Sequence, residues 1–175
     1  MSSVRVHCLP VSLDGYASGE GQCLDAPFGH AGGRLLAWFD ATRTFRQIHA
    51  DTFASRWVPD VGADIMGRNM FGPQRGSWED LNWKGWWGDN PPDHNPVFVL
   101  THHPRPSIEM EGGTTFPSID AGPADALTIA REAAGELDVR IGGGPTTIRQ
   151  FLAADLIYYL HVAIVPIVLG RGEPP

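Results

Sequence analysis

Three places in the chain carry residues that suit a phosphate. The first is Ile141-Gly142-Gly143-Gly144-Pro145-Thr146-Thr147, a β-branched run broken by three glycines and followed by a helix-like segment. Glycine lets a ligand approach the backbone closely and adopts positive φ without strain. Pro145 suits the first position of a helix, where its missing N–H would be unpaired anyway. The free N–H groups and the dipole of that helix face whatever lies over the glycines, and a phosphate or pyrophosphate is the natural guest. The same glycines also serve a strand-to-helix turn that binds nothing. The second place is Gly67-Arg68, and the third is Thr101-His102-His103-Pro104-Arg105. Arginine meets a phosphate with a planar fork of donors, although any one arginine also suits a surface ion pair. Together the three places fit a dinucleotide with an extra phosphate: pyrophosphate over Gly142 to Thr147, 2′-phosphate near Arg68, His102, His103 and Arg105. The glycines do not form G-x-G-x-x-G, and no acid is placed to hold a ribose 2′-hydroxyl. That points to NADPH rather than NADH. His102 and His103 are adjacent, so on an extended chain they point opposite ways, and no metal site is expected.

The elements that must position these residues follow from pattern. Val4 to Val11 reads as a first strand, with Pro10 at its end or at a bulge. Asp14-Gly15 marks a turn, where Asp14 either touches a ligand or hydrogen-bonds its own backbone. Leu35, Leu36 and Phe39 give a helix from Gly33, and residues 41–57 continue helical in pieces. Val61 to Arg68 is a strand running into Gly-Arg. Pro96 to Thr101 is a buried strand, and Thr115 to Ile119 is a further one. Ala124 to Gly135 is a helix, and Val139 to Ile141 is the strand before the glycines. Ile148, Phe151 and Leu152 pack the next helix onto the sheet. Ile157 to Leu169 is one bent strand or two, with Pro166 at a bulge. Strands that alternate with helices predict an α/β fold with a largely parallel sheet. Ligands of such sheets bind beyond the carboxyl ends of the strands, and all three phosphate-suited places fall at such ends. Gly72 to Pro96 is a long loop holding Trp78, Trp83, Trp86 and Trp87. Its aromatics suit a ligand cover or a subunit interface, but pinning the loop to its own domain is the first expectation.

The 175 residues suit a single domain spanning residues 1–175. A net charge of −7 argues against a nucleic-acid partner. No apolar run spans a bilayer, no export signal opens the chain, and two cysteines, Cys8 and Cys23, make no disulfide framework. A cytoplasmic protein with a small-molecule substrate is expected.

The order of motifs resembles the dihydrofolate reductase-like superfamily. It is most similar to the reductase domain of the bifunctional riboflavin-biosynthesis deaminase–reductase. The matching pieces are Ser12-Leu13-Asp14-Gly15, Ile65-Met66-Gly67-Arg68, Val99-Leu100-Thr101, Ile141-Gly142-Gly143-Gly144 and Val165-Pro166-Ile167-Val168-Leu169-Gly170. The resemblance implies a three-layer fold, a mostly parallel central sheet flanked by helices, and a homodimer. It implies NADPH as hydride donor to a pterin or a ribosylaminopyrimidine, with Gly67 and Arg68 on cofactor phosphates, Thr101 to Arg105 around the 2′-phosphate, and Gly142 to Thr147 on the pyrophosphate. The substrate half departs from the pattern. Leu35 stands where dihydrofolate reductases carry an acid, and Asp40 lies about 140° further round at ~100° per residue. Gly142 replaces a glutamate usual in the riboflavin branch, and Cys8 replaces a basic residue. Asp89-Asn90-Pro91 echoes an Asp-Asn-Pro of that branch. A last strand follows this run in the family, whereas here Gly170-Arg171-Gly172-Glu173 is followed only by two prolines.

The sequence therefore predicts an NADPH-dependent reductase of a small heterocycle, nearest to the ribosylaminopyrimidine reductase of riboflavin synthesis. The catalytic proton has candidate donors in Asp14, Asp40 and Asp89, besides water, and each also suits a structural role. Reduction of a pterin is the alternative within the fold. A nucleotide- or flavin-binding module without turnover, and an interaction domain built on the tryptophan loop, are the alternatives of other classes.

Overall fold

A computed structural model describes residues 2–30, 32–38 and 60–175. The expected helical pieces over residues 41–57, together with Phe39 and Asp40, lie outside the described residues. The chain opens with β1 (Val4–Ser12), and residues 32–38 form helix α1. Then follow β2 (Val61–Gly67), a single-turn α2 (Arg68–Phe71) and, after the tryptophan loop, β3 (Val97–Leu100). The expected strand from Thr115 to Ile119 is two short ones, because Pro117 breaks the ladder between them. β5 (Thr115–Phe116) pairs back on β4 (Ile108–Glu109), and β6 (Ser118–Ile119) joins the main sheet. Next come α3 (Pro123–Ala134), β7 (Asp138–Gly143), α4 (Pro145–Ala153) and β8 (Tyr159–Val165).

Six strands form one sheet in the order β6-β3-β2-β7-β1-β8, and every pairing in it is parallel. Parallel neighbours need crossovers, which is why helices and long connections separate the strands in sequence. Side chains alternate between the two faces. On one face Ala63, Ile65, Val139 and Ile141 meet Ala126, Leu127 and Ala130 of α3 and Ile148 and Phe151 of α4. Leu152, expected in that contact, is 41% exposed, because it turns ~100° past Phe151 toward solvent. On the other face Met66, Val97 and Val99 meet Phe71, Phe116 and the tryptophan loop. α1 places Leu35 against Val165 and Leu169. β8 is an edge of the sheet, and no described helix is long and apolar enough to cross a membrane.

A polar network sits within the second face. Arg140 donates from Nε to Asp64 and from Nη2 to Asp93. Asp64 is 1% exposed. Burial works against the Arg140 charge, but the two carboxylates outweigh it and hold Arg140 above its ordinary value. The network ties the tryptophan loop, through Asp93, to the middle of the sheet. Removing one member strands a buried charge. Arg140→Met is expected to lower unfolding stability by about 3 kcal/mol, read by urea denaturation. A loss under ~1 kcal/mol would mean that the network is not holding the sheet and loop together.

Candidate functional site

β3, β2 and β7 are neighbours in the sheet, so their carboxyl ends converge. They bring Gly67-Arg68, Thr101 and the glycine turn into the wall of one cavity of about 1040 Å³. Every residue of Gly142 to Thr147 lines it, as do His102 and His103. The turn is built as its sequence dictates. β7 ends at Gly143, Gly144 caps α4, and Pro145 takes the first helical position. The first N–H groups of α4 have no partner within the helix.

The three glycines are not equivalent. Gly143 has φ +129, and a Cβ there would strike Met70, so the fold itself demands glycine. Gly144 has an ordinary φ of −76, and a Cβ on it would meet nothing within 4 Å. Neither φ nor packing against the described residues requires glycine at 144, and Gly144 itself lines the cavity. Gly67 is demanded by packing, since a Cβ there would collide with the Thr147 hydroxyl.

Arg68 is 9% exposed, and its Cζ lies 3.8 Å from the centre of the Trp78 ring. Nη1 donates to the Gly76 carbonyl and weakly, at 3.5 Å, to the Thr101 hydroxyl. Nε and Nη2 are buried without an acceptor among the described residues. Burial, and then the neighbouring Arg75 guanidinium, push Arg68 below its usual value. Arg75 and Gln22 also line the cavity and hydrogen-bond each other at 3.2 Å. A guanidinium in this setting lacks an anion that would accept from its two idle donors. A dianionic phosphate is such a partner.

The family comparisons accord with this geometry. The family model described as the RibD C-terminal domain matches residues 8–175. The chain belongs to that family. A crystal structure of a candidate riboflavin biosynthesis protein from Shewanella sp. PV-4 is similar at 22% identity and a TM-score of 0.52. The alignment covers 99% of this chain and 82% of that one, and it shows the shared fold. No curated protein matches the chain significantly. The RibD C-terminal domain family is the reductase branch that the motif order resembles, so the chain is an oxidoreductase of the dihydrofolate reductase-like fold.

Within this RibD C-terminal domain most of the remaining sequence-predicted residues sit away from the cavity. Arg105 does not line the cavity. Its guanidinium donates to the carbonyls of Leu81 and Trp83 and lies 4.1 Å from the Trp78 ring centre, so it pins the tryptophan loop. His102 lies on the cavity wall and pairs with Asp120 at 2.9 Å. Asp14 points away from the cavity, and its carboxylate accepts from the backbone N–H groups of Leu169 and Gly170. Hydrogen bonds from Ser12, Leu169 and Gly170 lower it to about 2. These bonds tie the Asp14 turn to the segment at Leu169 and Gly170. Asp89 is exposed, its backbone carbonyl accepts from Glu111, and it does not line the cavity. Leu35, in the place of the pterin-binding acid, is 1% exposed and packed.

The tryptophans pin the loop to its own domain, and two of them also line the cavity. The indole N–H of Trp83 donates to Phe71 and that of Trp86 to Met70, which holds the loop down. Trp86 and Trp87 then present their rings to the cavity. Sequence reasoning did not place Arg75, Gln22, Asp120 or the pair His7-Cys8 on the wall. For Cys8 a signal existed: it stands where a basic residue is usual.

Proposed function

We propose that the protein is an NADPH-dependent reductase of a small heterocyclic substrate, nearest to 5-amino-6-(5-phosphoribosylamino)uracil reductase of riboflavin biosynthesis. Membership of the RibD C-terminal domain family supports a reductase. The observation that carries the choice of cofactor is Arg68, a buried guanidinium with two donors unused in the wall of the cavity. When bound, NADPH supplies the hydride. This chain's residues do the rest. Arg68, with Thr101 and Arg75 beside it, holds the 2′-phosphate. The N–H groups at the start of α4 hold the pyrophosphate over Gly144. Trp86 and Trp87 cover the cavity and exclude water. A pterin reductase would need a carboxylate where buried Leu35 stands, so the ribosylaminopyrimidine is the better substrate. The reading includes a homodimer, which light scattering tests.

Thermal unfolding with NADPH, NADH or FMN tests the cofactor. A ligand at about 100 times its dissociation constant adds roughly 2.7 kcal/mol of stability. NADPH is expected to raise Tm clearly and NADH much less. A shift with FMN alone would replace the reductase by a flavin module. No shift with any of the three would reduce Gly142 to Thr147 to a plain turn. Loss of NADPH absorbance with the ribosylaminopyrimidine, and not with dihydrofolate, is the expected turnover result.

A further inference from the structure

The ladder between β1 and β8 is irregular at one point. Val6 pairs with Leu160 and Leu9 with Val162, so two residues of β1, His7 and Cys8, face the single residue His161 of β8. Cys8 takes φ +53, in the left-handed region that a side chain other than glycine, asparagine or aspartate rarely adopts. Such an outlier persists only where the surroundings over-determine it, and bulges re-aim side chains next to sites. Here the bulge turns Cys8 into the cavity wall, 8% exposed, with its Sγ 3.4 Å from His161 Nδ1. β1 runs beside β7, so the thiol lies in the same cavity as the glycine turn.

The charges around the bulge come from all three strands. β1 supplies Arg5 and His7, β7 supplies Arg140 and Asp138, and β8 supplies His161, with the Tyr159 ring against His7. Arg5 is paired with Asp138, and Arg140 with Asp64 and Asp93. The field that remains is positive enough to push the His7 imidazole down, after burial, through Arg5, Arg140 and His161. Arg5 and Arg140 lie on β1 and β7, the strands at the bulge, and cationic neighbours favour a thiolate over a thiol.

We propose that Cys8, which lines the cavity and has His161 within reach as its base, is a nucleophile toward soft carbon electrophiles that enter the cavity. A thiol and an imidazole within hydrogen-bond reach is the arrangement that activates cysteine as a nucleophile. The proposal rests on the cavity and the bulge, not on the reductase reading. With iodoacetamide as probe, the Cys8 sulfur forms a bond to the α-carbon. Iodide leaves with the bonding electron pair, and the thiol proton stays on His161 until solvent takes it.

The test is the pH dependence of iodoacetamide labelling of the intact chain, with each site followed by peptide mass. Burial lowers the rate at every pH and by itself pushes the inflection up, so a lowered inflection reports the charged and hydrogen-bonding neighbours of the thiol. Cys8 is expected to show an inflection at least about one unit below the ordinary thiol value of roughly 8.5. His161→Gln is expected to return the inflection to that value, and Cys8→Ser to abolish labelling at this site while Cys23, free and exposed, still reacts. Cys8 labelling that has the ordinary inflection, that ignores His161→Gln, or that does not occur at all overturns the pair. Saturating NADPH is a separate arm. Protection of Cys8 but not Cys23 supports a cofactor in this cavity. Equal labelling with and without NADPH counts against that reading and leaves the inflection to decide the pair.

Discussion

Replacing Arg68 with methionine is expected to weaken NADPH binding about 100-fold and to leave NADH binding unchanged. Two idle N–H groups of a buried guanidinium would each make a charge-assisted hydrogen bond to the 2′-phosphate. Such bonds contribute about 1.5–3 kcal/mol each in proteins, so the two together come to at least ~3 kcal/mol, and the lower end of that range is a factor of about 100. NADH has no 2′-phosphate and loses nothing at this position. The protein without ligand should keep its stability to within about 1 kcal/mol, because the terms oppose. The stack of Arg68 on Trp78 is lost, worth about 0.5–2 kcal/mol, and so is its hydrogen bond to the Gly76 carbonyl, worth about 1.5–3 kcal/mol. Against that, two buried donors without acceptors disappear, each of which costs about 1–3 kcal/mol. Titration of both cofactors and urea unfolding of both proteins measure the four quantities. Equal weakening of NADPH and NADH would place Arg68 on a part that the two share. No weakening of NADPH would remove the 2′-phosphate from this wall.

That the place of Arg68 at a strand end was readable from sequence has a physical reason. Gly67-Arg68, Thr101 and the glycine turn are local signals, each written within a few residues at the end of an apolar run. The rule that ligands gather at the carboxyl ends of parallel strands joins them without knowledge of strand order. Strand order itself was not legible, because β7 reaches its place between β2 and β1 only through packing. Arg105 shows the limit. It sits in the same short segment as Thr101, yet its guanidinium turns to Leu81 and Trp83, more than twenty residues away in sequence. Nothing local separates an arginine that pins a loop from one that faces a ligand. Asp14 fails for the same reason, since its partners Leu169 and Gly170 lie at the other end of the chain. The bulge at Cys8 is hidden differently. An apolar run states that a strand exists but not where its ladder slips, and the slip is what aims the thiol.

The glycine turn permits a sharper separation of fold from function. Gly144→Ala is expected to unfold as the parent does and to bind NADPH roughly 10–100 times more weakly. The φ and ψ at 144 are open to alanine, and its Cβ would touch nothing within 4 Å among the described residues. A Gly→Ala change at a compatible position even stabilises slightly, by about 0.4–1 kcal/mol, through the unfolded chain. With cofactor bound the same methyl group would stand between the backbone and the pyrophosphate. Crowding of this kind in a packed site costs about 1–3 kcal/mol, which is the loss of affinity expected. Gly143→Ala is the contrast. Its φ of +129 and the approach of Met70 set it against the fold itself, so it should lose stability before any ligand is added. Thermal unfolding of the two variants with and without NADPH reads both effects. If Gly144→Ala keeps its NADPH-dependent shift, the open space over the turn is not where the phosphates lie, and α4 binds no anion through its first N–H groups. If Gly144→Ala alone loses the shift while its unliganded Tm holds, the glycine at 144 answers to the ligand and the glycine at 143 to the chain.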